Sequence, residues 1–418
     1  MKIRNVYFSK GFSAFYFDDQ AAIKAGAKQD GFVYCGPAQT RGFSAIRQSG
    51  ECISITLELE DGQLAQGDCA AVQYSGAAGR DPLLSTCHFI PLLEAELKPS
   101  LIGLNVGSFR ESAKWLDGLA CHPRLSHTAI HYGISQALLD ASAKAKHSTM
   151  CEVVCQEWGL PVVPEPLALF GQSGDDRYSA VDKMILKGVS ALPHGLINNV
   201  PKKLGEEGGK LAEYVTWLSH RIRALRTDTT YHPTLHIDVY GTLGLIFDND
   251  PERIADYLVR LQDRADPFHL YIEGPADAGS KSGQIALLKR IREELRSRGS
   301  SVKIVADEWC NTLTDVIDFA NEACCDMVQI KTPDLGGLHN TIEAVLACKD
   351  RAIEAYQGGT CNETDISARA CLHAAMATRP ERVLVKPGMG FDEGMTITSN
   401  EMSRVNSVLV SRFNREAG

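Results

Sequence analysis

Three short apolar runs in the second half of the chain each end in a carboxylate, and a fourth ends in a lysine. They read Leu235-His236-Ile237-Asp238, Leu270-Tyr271-Ile272-Glu273, Ile304-Val305-Ala306-Asp307 and Met327-Val328-Gln329-Ile330-Lys331. The carboxylates stand at 238, 273 and 307, spacings of 35 and 34 residues, about one strand–helix repeat. Buried parallel strands are apolar throughout, so a charge recurring at successive carboxyl ends gathers at a common mouth. Three hard oxygen donors there suit a magnesium ion, and a lysine beside them suits proton abstraction.

The rest of the chain fits that frame. Its 418 residues exceed one ordinary core but match a barrel of about 250 residues plus a smaller domain. The Pro-rich passage Leu160-Pro161-Val162-Val163-Pro164-Glu165-Pro166 is the expected boundary, dividing an α+β domain (1–160) from a barrel (161–418). In the first part, Ile53 to Glu60 alternates apolar and polar, meets the turn Asp61-Gly62, and returns along Gln63–Asp68. Ile130, Ile134, Leu138 and Leu139 predict a helix over 127–145. In the second part eight runs read as strands. They begin at Leu167–Phe170 and Met184–Lys187, continue through the four runs above, and finish at Ala355–Gln357 and Val383–Lys386. Helix-like segments lie between them, which describes a parallel (β/α)8 barrel better than an open sheet.

Several function classes drop out. A net charge of −9 argues against nucleic acid as a partner, and no run approaches the roughly 20 apolar residues of a membrane helix. No Gly-x-Gly-x-x-Gly opens a helix after a strand, which argues against a dinucleotide site. The 13 cysteines include no Cys-x-x-Cys pair, and the N-terminus lacks a signal-peptide stretch. They read as reduced thiols in a cytoplasmic protein rather than as disulfides or a zinc site.

Taken singly, each strand-end acid is more often a cap or a solvated loop residue. Three at matched spacing make a ligand set of Asp238, Glu273 and Asp307. Glu308, adjacent to Asp307, is expected to point the opposite way. Lys331 is expected to be a neutral amine, its pKa lowered by partial burial and a nearby dication. Gln329, two residues earlier, shares its face. His194 is expected across the mouth from Lys331, Gln172 follows the first barrel strand, and Thr360-Cys361 follow Gly358-Gly359 as an anion-binding loop.

Long strings carry a resemblance. They include Gly67-Asp68-Cys69-Ala70-Ala71-Val72-Gln73-Tyr74-Ser75-Gly76, Gln172-Ser173-Gly174-Asp175-Asp176-Arg177-Tyr178, Val305-Ala306-Asp307-Glu308-Trp309-Cys310-Asn311-Thr312 and Gly358-Gly359-Thr360-Cys361-Asn362-Glu363-Thr364. On these the chain resembles the methylaspartate ammonia-lyases, a family of the enolase superfamily. The resemblance implies a capping α+β domain over a modified (β/α)8 barrel, a homodimer, Mg2+ on Asp238, Glu273 and Asp307, and activation by K+. It implies Lys331 as the base for C3 of (2S,3S)-3-methylaspartate and His194 as the acid/base for the other C3 epimer. Substrate contacts would come from Gln172, His194, Gln329, Thr360, Cys361 and Gln73, and the product would be mesaconate. Relatives in the superfamily that carry Lys-x-Lys on the second strand differ here, where Lys183-Met184-Ile185-Leu186-Lys187 stands and His194 is the base nearby.

Two other classes fit the acids less well. A glycosidase needs no metal but favours sugar-stacking aromatics, and only four tryptophans are present. A non-catalytic barrel gives no reason for a lysine among the acids.

Overall fold

In the computed structural model, which describes residues 1–77, 79–119, 122 and 124–416 with side chains to 412, the chain starts with strand-rich structure. Strands β1 (Ile3–Asp18), β2 (Lys28–Asp30), β3 (Val33–Cys35), β4 (Arg47–Leu59) and β5 (Leu64–Cys69) occupy the first seventy residues. β4 lies between β1 and β5, antiparallel to both, and β2–β3 form a separate hairpin. Along β4, Ile53, Ile55, Leu57 and Leu59 are wholly buried, so the period-two pattern found the inner face. Each such side chain contributes about 1.5–3 kcal/mol on burial. The sixteen-residue β1 was not foreseen.

The helix Thr128–Ala145 packs on this sheet, as the periodicity predicts. The approach is so close that a Cβ on Gly67 would meet Gly133 O at 2.1 Å, and one on Gly133 would meet Cys69 N at 2.6 Å. The helix Met150–Trp158 starts with a Thr149/Glu152 capping box and stops at Gly159, whose φ of 66° suits glycine. Residues 160–168, the Pro-rich passage included, form neither helix nor strand.

A closed, all-parallel barrel follows. Its strands are β6 (Leu169–Phe170), β7 (Ala191–His194), β8 (Thr234–Asp238), β9 (Leu270–Glu273), β10 (Lys303–Ala306), β11 (Met327–Ile330), β12 (Glu354–Gln357) and β13 (Arg382–Leu384), in ring order. Phe170, Ala191, Tyr271, Val305, Met327, Tyr356 and Leu384 fill its interior.

One expected strand is corrected. Met184-Ile185-Leu186 belongs to the helix Ser179–Leu186, where Ala180, Val181, Met184 and Ile185 form one buried face. The second barrel strand is Ala191-Leu192-Pro193-His194, with Pro193 paired in register to His236. Three apolar residues in a row do not distinguish strand from helix, and a proline argues against a central strand. No helix among the described residues is long and apolar enough to cross a membrane, and the twelve described cysteines are free.

Candidate functional site

Alternation along the barrel strands places the chemistry. Tyr271, Val305 and Met327 point into the barrel. Two residues on, on the same faces, come Glu273, Asp307 and Gln329, and Lys331 lies two beyond Gln329. Asp238 and Glu273 end β8 and β9 and are paired in register. Asp238, Glu273 and Asp307 are 2%, 0% and 5% exposed, which is far from water for three acids. His194 ends β7 and Lys331 follows β11, four strands apart either way around a ring of eight. They therefore stand on opposite sides of the mouth.

One cavity collects nearly every residue singled out from the sequence. Gln172, His194, Asp238, Asp307, Gln329, Lys331, Thr360 and Cys361 line it from the barrel, and Gln73 reaches in from the loop after β5. Glu273 lies beneath, out of contact with solvent. Glu308 also borders the cavity. The expectation that it points away fails because β10 ends at Ala306, so strand alternation no longer governs residue 308.

Glu273 is densely held. His236 Nε2 lies 2.8 Å from Oε2, Gln329 Nε2 donates to Oε1 at 3.0 Å, and the Tyr356 hydroxyl lies 2.8 Å from both oxygens. Tyr356 has one proton to give, so a lone pair of Glu273 stays open. Asp238 Oδ1 accepts from Tyr240 N–H at 2.9 Å, and Asp238 Oδ2 lies 3.7 Å from His194 Nε2. Single donor atoms of His194, Asp238 and Glu273 all fall within 4.8 Å of one another. Asp307 is instead ion-paired with Lys331.

The electrostatics follow from this crowding. Burial, then the charge of Asp307, pushes Asp238 well above the usual carboxylate range. Glu273 is raised likewise by burial and then by Asp238. Asp238, Glu273 and Asp307 offer only oxygen donors, which fits a hard dication. His194 is brought down to about 4 by burial and then by Lys331, so it is a neutral imidazole. It also sits at φ 60°, a conformation a histidine rarely adopts.

Lys331 is paired with an acid rather than free. Burial pulls its pKa down, but Asp307 and then Glu308 more than offset this, and the amine is raised above its ordinary value. The neutral amine expected from the sequence needs a dication beside it as well as burial, and here the amine's partner is Asp307.

The three cavity glutamines share a feature. Gln172 gives Nε2 to the Val385 and Gly388 carbonyls, Gln329 gives it to Glu273 and Tyr356, and Gln73 gives it to Asp18. Each therefore has its carbonyl oxygen as the freer end. Cys361 is pushed up to about 12 by burial, which makes it a thiol rather than a nucleophilic thiolate. His236, Tyr356, Tyr240 and Arg80 were missed from the sequence. Only His236 carried a signal, being two residues before Asp238 on the same strand face.

The chain is thus an eight-stranded parallel barrel with buried acids at adjacent strand ends, a lysine and a histidine facing across them, and a strand-rich N-terminal region. The muconate lactonizing enzyme of Pseudomonas fluorescens shares this fold, with a TM-score of 0.59 at 17% identity over 90% of this chain and 84% of that one. Family models for the methylaspartate ammonia-lyase N-terminus and C-terminus match residues 1–159 and 161–411. The chain is 60% identical to methylaspartate ammonia-lyase of Citrobacter amalonaticus over 412 residues, 99% of this chain and 100% of the relative. The Citrobacter enzyme's crystal structure containing (2S,3S)-3-methylaspartic acid matches with a TM-score of 0.97 and 61% identity, covering 98% and 100%. The Mg complex of β-methylaspartase from Clostridium tetanomorphum matches at 0.95 and 52%, covering 99% and 100%. This chain belongs to the methylaspartate ammonia-lyase family and is a carbon–nitrogen lyase.

Proposed function

We propose that this enzyme eliminates ammonia from (2S,3S)-3-methylaspartate to give mesaconate. The observation that carries the reading is the placement of Lys331 and His194 four strands apart, facing each other over buried acids in one cavity. Asp238, Glu273 and Asp307 are the residues that would hold Mg2+; all three are oxygen donors, and Glu273 keeps an open lone pair. Bound there, the ion supplies positive charge against which a substrate carboxylate gains negative charge in the transition state.

The chain's own groups do the rest. In its unprotonated form Lys331 Nζ takes the proton from C3, the C–H electron pair becomes the C2–C3 double bond, and the C2–N bond breaks to release the ammonium nitrogen as NH3. Asp307, paired with Lys331, links the protonation of that amine to occupation of the metal site. His194, neutral and opposite, serves the epimer whose C3 proton faces the other way. Gln172, Gln329, Thr360 and Cys361 hold the substrate from the barrel. Gln73 does so from the capping domain, for which we take residues 1–160, with the catalytic domain at 161–418. A homodimer, K+ activation and a cytoplasmic location are carried into this reading by the family membership and the sequence.

The test is ultraviolet absorbance of the new alkene from 3-methylaspartate, with Mg2+ and after chelation. Absorbance should rise only with the metal; no rise in either case overturns the assignment.

A further inference from the structure

The Gln73 amide is held from behind. Asp18, the last residue of β1 and 1% exposed, accepts from Gln73 Nε2 at 2.7 Å, and its own N–H donates to Gln73 O at 3.0 Å. The same carboxylate takes Arg47 Nε and Nη2, each at 2.7 Å, as a two-pronged pair. Arg47 is itself fixed. It donates Nη1 to the Phe32 carbonyl at 3.0 Å, and its guanidinium lies 4.5 Å from the Phe32 ring centroid and 5.1 Å from that of Tyr34.

A carboxylate paired with a guanidinium only accepts hydrogen bonds. Opposite Asp18, Gln73 therefore presents its NH2 end, and its carbonyl oxygen is left on the cavity side. There the Cys361 thiol, 3.6 Å away, is its protein donor. Gln172, on the same cavity, also has its amide hydrogens engaged by backbone carbonyls. A diacid brings acceptors; an aminated diacid also brings an ammonium donor, which a carbonyl oxygen rewards and a carboxylate does not match.

We propose that Asp18, clamped by Arg47, is a positioning residue that fixes which end of the Gln73 amide faces the ligand, and thereby selects ammonium-bearing diacids over amine-less ones. This rests on the aminated substrate proposed above. Asp18 touches neither substrate nor metal in this account; it acts through Gln73.

The experiment compares Asp18→Asn with wild type using two ligands of one carbon skeleton, 3-methylaspartate and 2-methylsuccinate. The expected result is a KM for 3-methylaspartate higher by roughly tenfold to a hundredfold, the worth of one hydrogen bond to a charged group. The inhibition constant of 2-methylsuccinate should stay within about twofold. Equal weakening of both ligands, or of neither, overturns the proposal, because a merely structural role does not tell them apart. If Asp18→Asn does not fold, Asp18→Asn combined with Arg47→Met decides by the same comparison, since it removes the carboxylate without leaving its guanidinium partner unpaired. Wild type that releases no ammonia from 3-methylaspartate defeats the proposed reaction instead. The clamp is then judged from calorimetric binding of the same two ligands.

Discussion

His236 Nε2 lies 2.8 Å from Glu273 Oε2, and neither side chain has any exposure to solvent. Phe170 stacks on the imidazole with centroids 4.3 Å apart, and Arg382 Nη1 lies 3.5 Å from Nδ1. Burial and then Arg382 hold His236 well below the ordinary histidine range, so the ring is neutral. With a guanidinium donor at Nδ1, that nitrogen accepts and Nε2–H donates to Glu273.

That bond orients a proposed metal ligand from the second layer. His236→Phe should weaken Mg2+ binding about 10- to 100-fold, read by calorimetry and by the Mg2+ dependence of turnover. Unchanged Mg2+ dependence would mean that Glu273 is not a ligand or needs no such support.

The opposed pair predicts stereochemical division of labour. Lys331→Ala should lower turnover of the (2S,3S) substrate by about 10²–10⁴, while His194→Ala should mainly impair the (2S,3R) epimer. Rates for both epimers in both variants check this, and equal losses in His194→Ala would remove its facial role.

Behind the Thr360–Cys361 loop, Lys386 and Glu363 form an ion pair with side chains 1% and 0% exposed. Lys386 Nζ is 2.6 Å from Glu363 Oε1 and 2.7 Å from Gly358 O; the Tyr132 hydroxyl donates to Glu363 Oε2 at 2.7 Å. Gly359 passes so close, at φ 143°, that a Cβ there would meet Glu363 Oε1 at 2.4 Å. Lys386→Met leaves a buried carboxylate unpaired and should cost about 3–5 kcal/mol in chemical denaturation. Adding Glu363→Gln should restore part of the loss.

Glu401, on the C-terminal helix, is drawn down to about 2, first by its hydrogen bond with His373. A carboxylate depressed in the folded state stabilises fully above its unfolded value, and that stability is lost as pH falls through the folded value. The melting temperature should therefore decline between about pH 4.5 and pH 2, and Glu401→Gln should flatten part of that slope. An unaltered profile in the variant would assign the acid lability elsewhere.

Much of the barrel was legible because its signals are local. Seven of the eight expected strand runs coincide with strands, the runs ending in Asp238, Glu273, Asp307 and Lys331 among them. The second strand was not legible. Met184-Ile185-Leu186 looks extended only until the buried Ala180 and Val181 are seen as the preceding turn of the same helix. Glu308 was misplaced for a related reason: alternation holds inside a strand, and no local signal marked β10 as ending two residues earlier.

What the sequence alone determined is seven of the eight barrel strands, the acids at their ends, and the family, since apolar periodicity and motif identity are written along the chain. What only tertiary structure decided is which partner each charge meets. Tyr132 reaches Glu363 across 231 residues and Gln73 meets Cys361 across 288. The Asp307–Lys331 ion pair and the carboxylate that turns the Gln73 amide are likewise products of folding. Charge states depend on distance and burial in space, and neither is encoded in any local run of residues.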